Sequence, residues 1–152
     1  MSYTCEVKEQ AAQPALAIRT RSAVEHLPEV LGQAYGQIFT YLGELGEGPA
    51  GAPYMGYYNM DMQDLDVEIG VPVNRALPGK EAVQSKQLPG GKVVTCLYIG
   101  PYHEMRPAYD AINQYIQEHG LLPTGVVYEF YISDPSQTPP QELQTLIVFP
   151  LN

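Results

Sequence analysis

An acidic side chain stands within a short aromatic run near the C-terminal end of the sequence, Tyr128-Glu-Phe-Tyr131. The β-branched and aromatic residues of segment 126–133 predict a β-strand. Burying an unpaired carboxylate costs several kcal/mol in practice. Glu129 is therefore solvated on an open sheet face, paired within the protein, or placed to meet a ligand. A carboxylate beside a phenol can pair with a cation, or can transfer a proton.

Alternation along this strand separates its side chains into two sets. The set Tyr128, Phe130 and Ile132 is suited to packing beneath a helix. We therefore expect the other set, which contains Glu129, to point away from the helices. Its members are Val127, Glu129 and Tyr131.

A second aromatic strand, at 54–60, adds rings and flexible thioethers. If the two strands meet, Glu129 lies at the floor of an aromatic cleft that suits a bulky organic cation. A bulge would exchange the faces of Tyr57 and Tyr58, so both stay candidates. The predicted ligand-binding residues are Glu129, Tyr131, Tyr58, Tyr57, Met55 and Val127.

Other chemistries have weaker support in the sequence. The three histidines have no metal-ligand spacing, and the acids between Asp61 and Glu68 lack the order of a calcium loop. Cys96 lies in an apolar strand and is expected in the core. No phosphate-binding glycine loop is present, so we expect neither metal nor cofactor.

Composition limits the partners and the compartment. The formal net charge of -9 disfavours direct nucleic-acid binding. The sequence has no signal-peptide pattern and no apolar run long enough for a membrane. The two cysteines are far apart in sequence, which favours a reduced, cytoplasmic protein over a structural disulfide.

The elements that carry these residues follow a repeated plan. Segment 31–46 aligns without gaps on segment 105–120, and both have the apolar spacing of a helix that ends at a glycine. We expect the first helix to begin near His26, with Gly32 and Gly36 against its sheet. Strand-like runs at 3–8, 15–20, 54–60 and 65–73 go with the first half, and those at 84–88, 92–99, 126–133 and 143–149 with the second. The prediction is one α+β domain over 1–152, with halves of about 1–76 and 84–152. About eight antiparallel strands carry two helices on one face and a central cleft on the other.

The whole chain resembles the GyrI-like small-molecule-binding domain, which is also the effector-binding part of AraC-type and multidrug-sensing bacterial transcription regulators. In the second half the matching residues are Tyr98-Ile-Gly-Pro-Tyr102, Gly120-Leu-Leu-Pro123, Tyr128-Glu-Phe-Tyr131, Asp134-Pro and Thr138-Pro-Pro. In the first half they are Leu31-Gly-Gln-Ala-Tyr-Gly36, Pro53-Tyr-Met-Gly-Tyr-Tyr58 and Val67-Glu-Ile-Gly-Val-Pro-Val73. Tyr109 stands where many relatives carry Trp.

The resemblance implies two strand-helix-strand-strand halves and a central ligand cleft, with Glu129 meeting the cationic or polar groups of ligands. Three functions follow. A binding module would sequester its ligand, or sense it for a separate transcription regulator, since no DNA-binding helices precede the domain. A hydrolase would open cyclopropane-containing natural products, with Glu129 as a base or as the group that orients water, and Tyr131 or Tyr58 as proton donor. A protein-interaction module would inhibit a target such as DNA gyrase. We expect binding rather than catalysis.

Overall fold

The computed structural model describes residues 3–152, which form eight strands and two α-helices. The strands are β1 (Cys5–Gln10), β2 (Gln13–Ser22), β3 (Tyr54–Tyr57), β4 (Leu65–Pro72), β5 (Gln84–Leu88), β6 (Gly91–Ile99), β7 (Val127–Tyr131) and β8 (Gln144–Pro150). The helices are α1 (Leu27–Leu45) and α2 (Arg106–Glu118). The predicted α+β class, the two strand-helix-strand-strand halves and the number of strands are confirmed.

Both helices begin and end where their sequence signals place them. Pro28 and Pro107 lie in the first turns, where a missing N–H breaks no helical hydrogen bond. Gly46 and Gly120 follow the last turns with φ of 68° and 62°, a left-handed conformation that favours glycine. Neither helix is long and apolar enough to cross a membrane.

The elements fall into two compact units. The C-terminal unit contains residues 3–10 and 91–152, and the N-terminal unit contains residues 11–90. In the C-terminal unit the antiparallel strand order is β1-β6-β8-β7. In the N-terminal unit it is β3-β4-β2-β5, again antiparallel.

Two strands lie in the unit other than the one to which the repeat assigns them. Strand β1 pairs with β6 in the C-terminal unit, although its sequence lies within the predicted first half. Strand β5 pairs with β2 in the N-terminal unit, although it leads into the second half. Strand pairing is a tertiary choice between edges of similar character, so a local pattern does not specify the partner.

The core of the C-terminal unit forms where α2 packs on its sheet. Ala108, Ile112 and Ile116 are buried against side chains from three strands, which are Val94, Cys96, Val127, Ile147 and Phe149. Each large apolar side chain buried in this way contributes about 1.5–3 kcal/mol before the entropy of ordering is counted. This layer determines which face of the sheet lies beneath the helix.

In the N-terminal unit the residues of β4 alternate between two environments. Val67, Ile69 and Val71 are fully buried. Ile38 and Leu42 of α1 are 0% and 2% exposed. Gly70 belongs to the opposite set and is paired with Tyr54 across the strands. A Cβ at Gly70 would lie 2.5 Å from Cζ of Tyr54, so the tyrosine ring occupies the space of the missing side chain.

Gly32 and Gly36 do not bring α1 close to its sheet, so that expectation is wrong. Both are exposed, and a Cβ at either would meet nothing within 4 Å. Their positions lie outside the apolar stripe that contains Ala34 and Ile38.

The close contact at Gly70 predicts a large stability difference between two glycine-to-alanine variants. Gly70→Ala should lower the free energy of unfolding by about 1–3 kcal/mol, because the buried ring must shift. The matched control Gly32→Ala should raise it by about 0.5–1 kcal/mol, because alanine favours the helix. Urea denaturation measures both. Equal effects of the two variants would contradict the packing at Gly70.

Candidate functional site

Glu129 lies on the face of its sheet that α2 covers. Its cross-strand partner is Ile147, and both Ile147 and Val127 belong to the core beneath α2. The expectation that Glu129 points away from the helices is therefore wrong. Alternation identifies which side chains share a face, but it does not tell which of the two faces receives the helix.

The carboxylate of Glu129 is buried and receives two phenol hydroxyls. The side chain is only 6% exposed. The Tyr131 hydroxyl, two residues along the same strand, donates to Oε1 at 2.9 Å. The Tyr109 hydroxyl, from α2, donates to Oε2. Of the three states that the sequence allows for Glu129, the solvated one is excluded.

Burial raises the pKa of Glu129 above its ordinary value, because desolvation penalises the charged form. The hydrogen bonds from Tyr109 and Tyr131 act in the opposite direction but are the smaller effects. The phenols therefore satisfy the oxygens without neutralising the charge. An acid in this state can accept a proton, give one up, or pair with a positive charge that enters beside it.

Aromatic rings extend from Glu129 toward the surface of the C-terminal unit. The Tyr102 ring meets the Tyr131 ring edge to face, with centroids 5.6 Å apart, and Tyr102 is 38% exposed. The Tyr109 ring lies 5.9 Å from that of Phe149. Burial raises the pKa of Tyr102, with further contributions from the charges of Asp134 and Glu129.

The N-terminal unit contains a second buried acid of the same kind, Glu68 on β4. It is 3% exposed, and it accepts hydrogen bonds from Tyr54 at 2.6 Å and Tyr58 at 2.9 Å. The guanidinium of Arg19 lies 3.6 Å from the centroid of the Tyr58 ring. Arg19 in turn holds Asp66 through two hydrogen bonds of 2.6 and 2.8 Å.

The predicted set of site residues did not include Glu68, its donor Tyr54, Tyr109 or Tyr102. Glu68 stands in an apolar strand, as Glu129 does, and that signal could have found it; its position among other acids drew attention to calcium instead. Tyr109 and Tyr102 show no such signal. A tyrosine on the apolar stripe of a helix is expected in the core.

The predicted site residues divide between the two units. Glu129, Tyr131 and Val127 lie on one face of β7 in the C-terminal unit. In the N-terminal unit, Tyr58 binds Glu68, whereas Met55 pairs with Ile69 and Tyr57 with Val67 on the other set of β4 positions. That Tyr58, Tyr57 and Met55 contact the same ligand as Glu129 stays a prediction.

No group of three or more potential metal ligands forms among residues 3–152. His119 is exposed and stacks on Tyr115, with ring centroids 4.1 Å apart.

Several solved structures share this fold. The alignment with EcmrR in its DNA complex covers 99% of this chain and 57% of the EcmrR chain, with 21% identity and a TM-score of 0.81. The chain thus spans little more than half of that protein, whereas it covers 99% of the separate EcmrR C-terminal domain at a TM-score of 0.77 and 21% identity.

Two further structures share the fold at lower identity. One is a hydrolase from Listeria innocua, with 16% identity, a TM-score of 0.68 and coverage of 97% of this chain and 91% of that one. The other is SAV2435 bound to tetraphenylphosphonium, with 13% identity, a TM-score of 0.67 and coverage of 100% and 94%. Among proteins with curated functions, none matches this sequence.

This chain shares its α+β fold with each of these structures. The family model for the GyrI-like small molecule binding domain matches residues 3–152, so the chain belongs to that family.

The raised pKa of Glu129 predicts how stability changes with pH. The folded state holds the proton more tightly than the unfolded chain, whose pKa is the ordinary value of 4.5. This contribution to stability is complete below that pH and is lost as pH rises through the folded-state pKa. Relative to wild type, the non-titrating variant Glu129→Gln should therefore gain stability as pH rises through this window, and then level off.

Urea denaturation of both proteins from about pH 4 to about pH 8 measures this difference, and the titrations that they share cancel. Asp66 and Asp134 have lowered pKa values in both proteins, so their effects lie at lower pH. A difference that does not change with pH would show that Glu129 titrates normally.

Proposed function

We propose that this domain binds hydrophobic, often cationic, organic molecules, and that Glu129 supplies the negative charge that holds them. The observation that carries the proposal is a carboxylate, 6% exposed, whose two hydrogen-bond donors are neutral phenols. A buried charge is stabilised most by an opposite charge at short distance. A ligand cation would supply that partner.

The rings around Glu129 give the ligand its apolar contacts. A cation over the face of a tyrosine gains about 0.5–2 kcal/mol, and more when water is removed. Tyr131 and Tyr109 donate to the carboxylate, and Tyr102, which is 38% exposed, packs edge to face on Tyr131. This arrangement selects for charge and aromatic shape rather than for a specific pattern of hydrogen bonds, and so favours a broad range of ligands.

Two of the related structures support a role in sequestration or sensing. SAV2435 was solved with tetraphenylphosphonium, a large lipophilic cation. EcmrR was solved on DNA, in a chain that carries this fold as its C-terminal domain. We infer that the present chain reports its ligand to a separate transcription regulator or sequesters it in the cytoplasm. Its formal charge of -9 argues against contact with DNA by this domain itself.

The binding proposal predicts that a rhodamine dye binds with a Kd in the micromolar range, about 8 kcal/mol of binding free energy. Glu129→Gln removes the charge but keeps the shape, and should weaken binding by about tenfold or more, because the ligand cation loses its partner. Fluorescence anisotropy measures the affinity. Glu118→Gln, an exposed acid on α2, is the matched control for net charge and should bind as wild type does.

Two results would oppose this role for Glu129. Equal affinities of wild type and Glu129→Gln would remove Glu129 from the ligand site. A loss of binding in Glu68→Gln but not in Glu129→Gln would assign the ligand to the second acid. Circular dichroism of each variant shows whether a lost affinity reflects lost structure.

A second candidate function is hydrolysis of strained cyclopropane rings, which the hydrogen bond between Tyr131 and Glu129 at 2.9 Å favours. Glu129 would take a proton from water as the water oxygen attacks a ring carbon. The ring C–C bond would break, and the carbon that receives its electron pair would gain a proton from the Tyr131 hydroxyl. Tyr58 is the weaker candidate for donor, because its hydroxyl binds Glu68.

The hydrolase function predicts ring-opened product, with many turnovers, from a cyclopropane-bearing alkylating compound. Tyr131→Phe should lower kcat about 100-fold through loss of the proton donor, while dye binding persists. Mass spectrometry of the products measures the rate. Product formation no faster than in buffer would leave binding as the function of the site.

A further inference from the structure

The two cysteines of the sequence face each other across neighbouring strands. Cys5 on β1 and Cys96 on β6 form a directly opposed antiparallel pair. Opposed residues have Cα atoms about 4.5–5.5 Å apart, which lies within the range of about 4.4–6.8 Å found for disulfides. The backbone thus already brings the pair to bonding range, although the residues are far apart in sequence.

The two thiols differ in their access to solvent. Both cysteines are free thiols, and they occupy opposed positions on the two strands. Cys96 is 1% exposed within the core under α2, and burial raises its pKa to about 12. Cys5 is half-buried, and burial raises its pKa less. A reagent from solvent therefore meets Cys5 first, with Cys96 behind it.

We propose that Cys5 and Cys96 form a reversible dithiol–disulfide site that is oxidised by peroxides. The Cys5 thiolate attacks a peroxide oxygen, the O–O bond breaks, and Cys5 becomes a sulfenic acid as hydroxide leaves. The Cys96 sulfur then attacks the Cys5 sulfur, the S–O bond breaks, and the thiol proton leaves with hydroxide as water. Two thiols and one hydrogen peroxide give one disulfide and two waters. An external thiol reverses the reaction by exchange.

The disulfide would join the edge strand β1 covalently to β6, in the sheet that carries Glu129. Strand β1 is the terminal strand of its unit and pairs there with β6. Cys96 is opposite Ile147, and Ile147 is opposite Glu129, so the cysteines and the acid belong to one row of side chains. The closed loop would contain residues 11–90, all of the N-terminal unit. Long closed loops give the greatest stabilisation from a crosslink.

The test treats the full chain with hydrogen peroxide and maps its peptides under non-reducing conditions. A peptide that joins Cys5 to Cys96, loses two hydrogen atoms and disappears with dithiothreitol is expected. The melting temperature should rise by about 5–10 °C on oxidation and return on reduction. Cys5→Ser and Cys96→Ala should each show neither the joined peptide nor the rise.

A parallel reaction in urea separates native geometry from chance encounter. Crosslinking should be at least about tenfold faster in the folded protein, because the strand pair holds the sulfurs together. Oxidation to a stable sulfenic or sulfonic acid at Cys5 would overturn the proposal. So would disulfides between molecules, or crosslinking that is faster in urea.

Discussion

The candidate site of this domain depends on one constraint, the burial of the Glu129 carboxylate. Glu129 is held in a nearly dry layer between a sheet and a helix, and the protein satisfies its oxygens with phenols rather than with a cation. A cationic side chain paired with Glu129 would have neutralised the charge of the carboxylate. Phenol donors are neutral and leave the negative charge uncompensated, so under the proposed function a ligand cation would meet a carboxylate that is already desolvated.

The same solution occurs in both units, but on different strands. Glu129 is on β7, which follows α2, whereas Glu68 is on β4, which corresponds by the repeat to β8. Tyrosines from neighbouring positions satisfy each acid. The duplication thus preserved the backbone plan, while the position of the charged group changed between the copies. Polar contacts can move in this way because the apolar layer under each helix carries most of the stability.

The sequence predicted those features of the fold that depend on residues close together in the chain. Proline and glycine positions placed the ends of α1 and α2 to within a few residues, and the aligned segments gave the repeated order of elements. It could not predict which face of β7 lies beneath α2, nor the partner of β1, because these depend on packing between distant segments. The role of Tyr109 was hidden for the same reason, since only the packed helix brings its hydroxyl to Glu129.

The two phenols that hold Glu129 belong to different elements, one to α2 and one to β7. A bound ligand that donates to Oε2 would therefore compete with the Tyr109 hydroxyl of α2 for that oxygen. Under the proposed function, a ligand held at this oxygen would replace one polar contact between α2 and the sheet, and the helix would then be attached less firmly. If a partner protein contacted the surface of α2, this loss would couple ligand binding to partner binding.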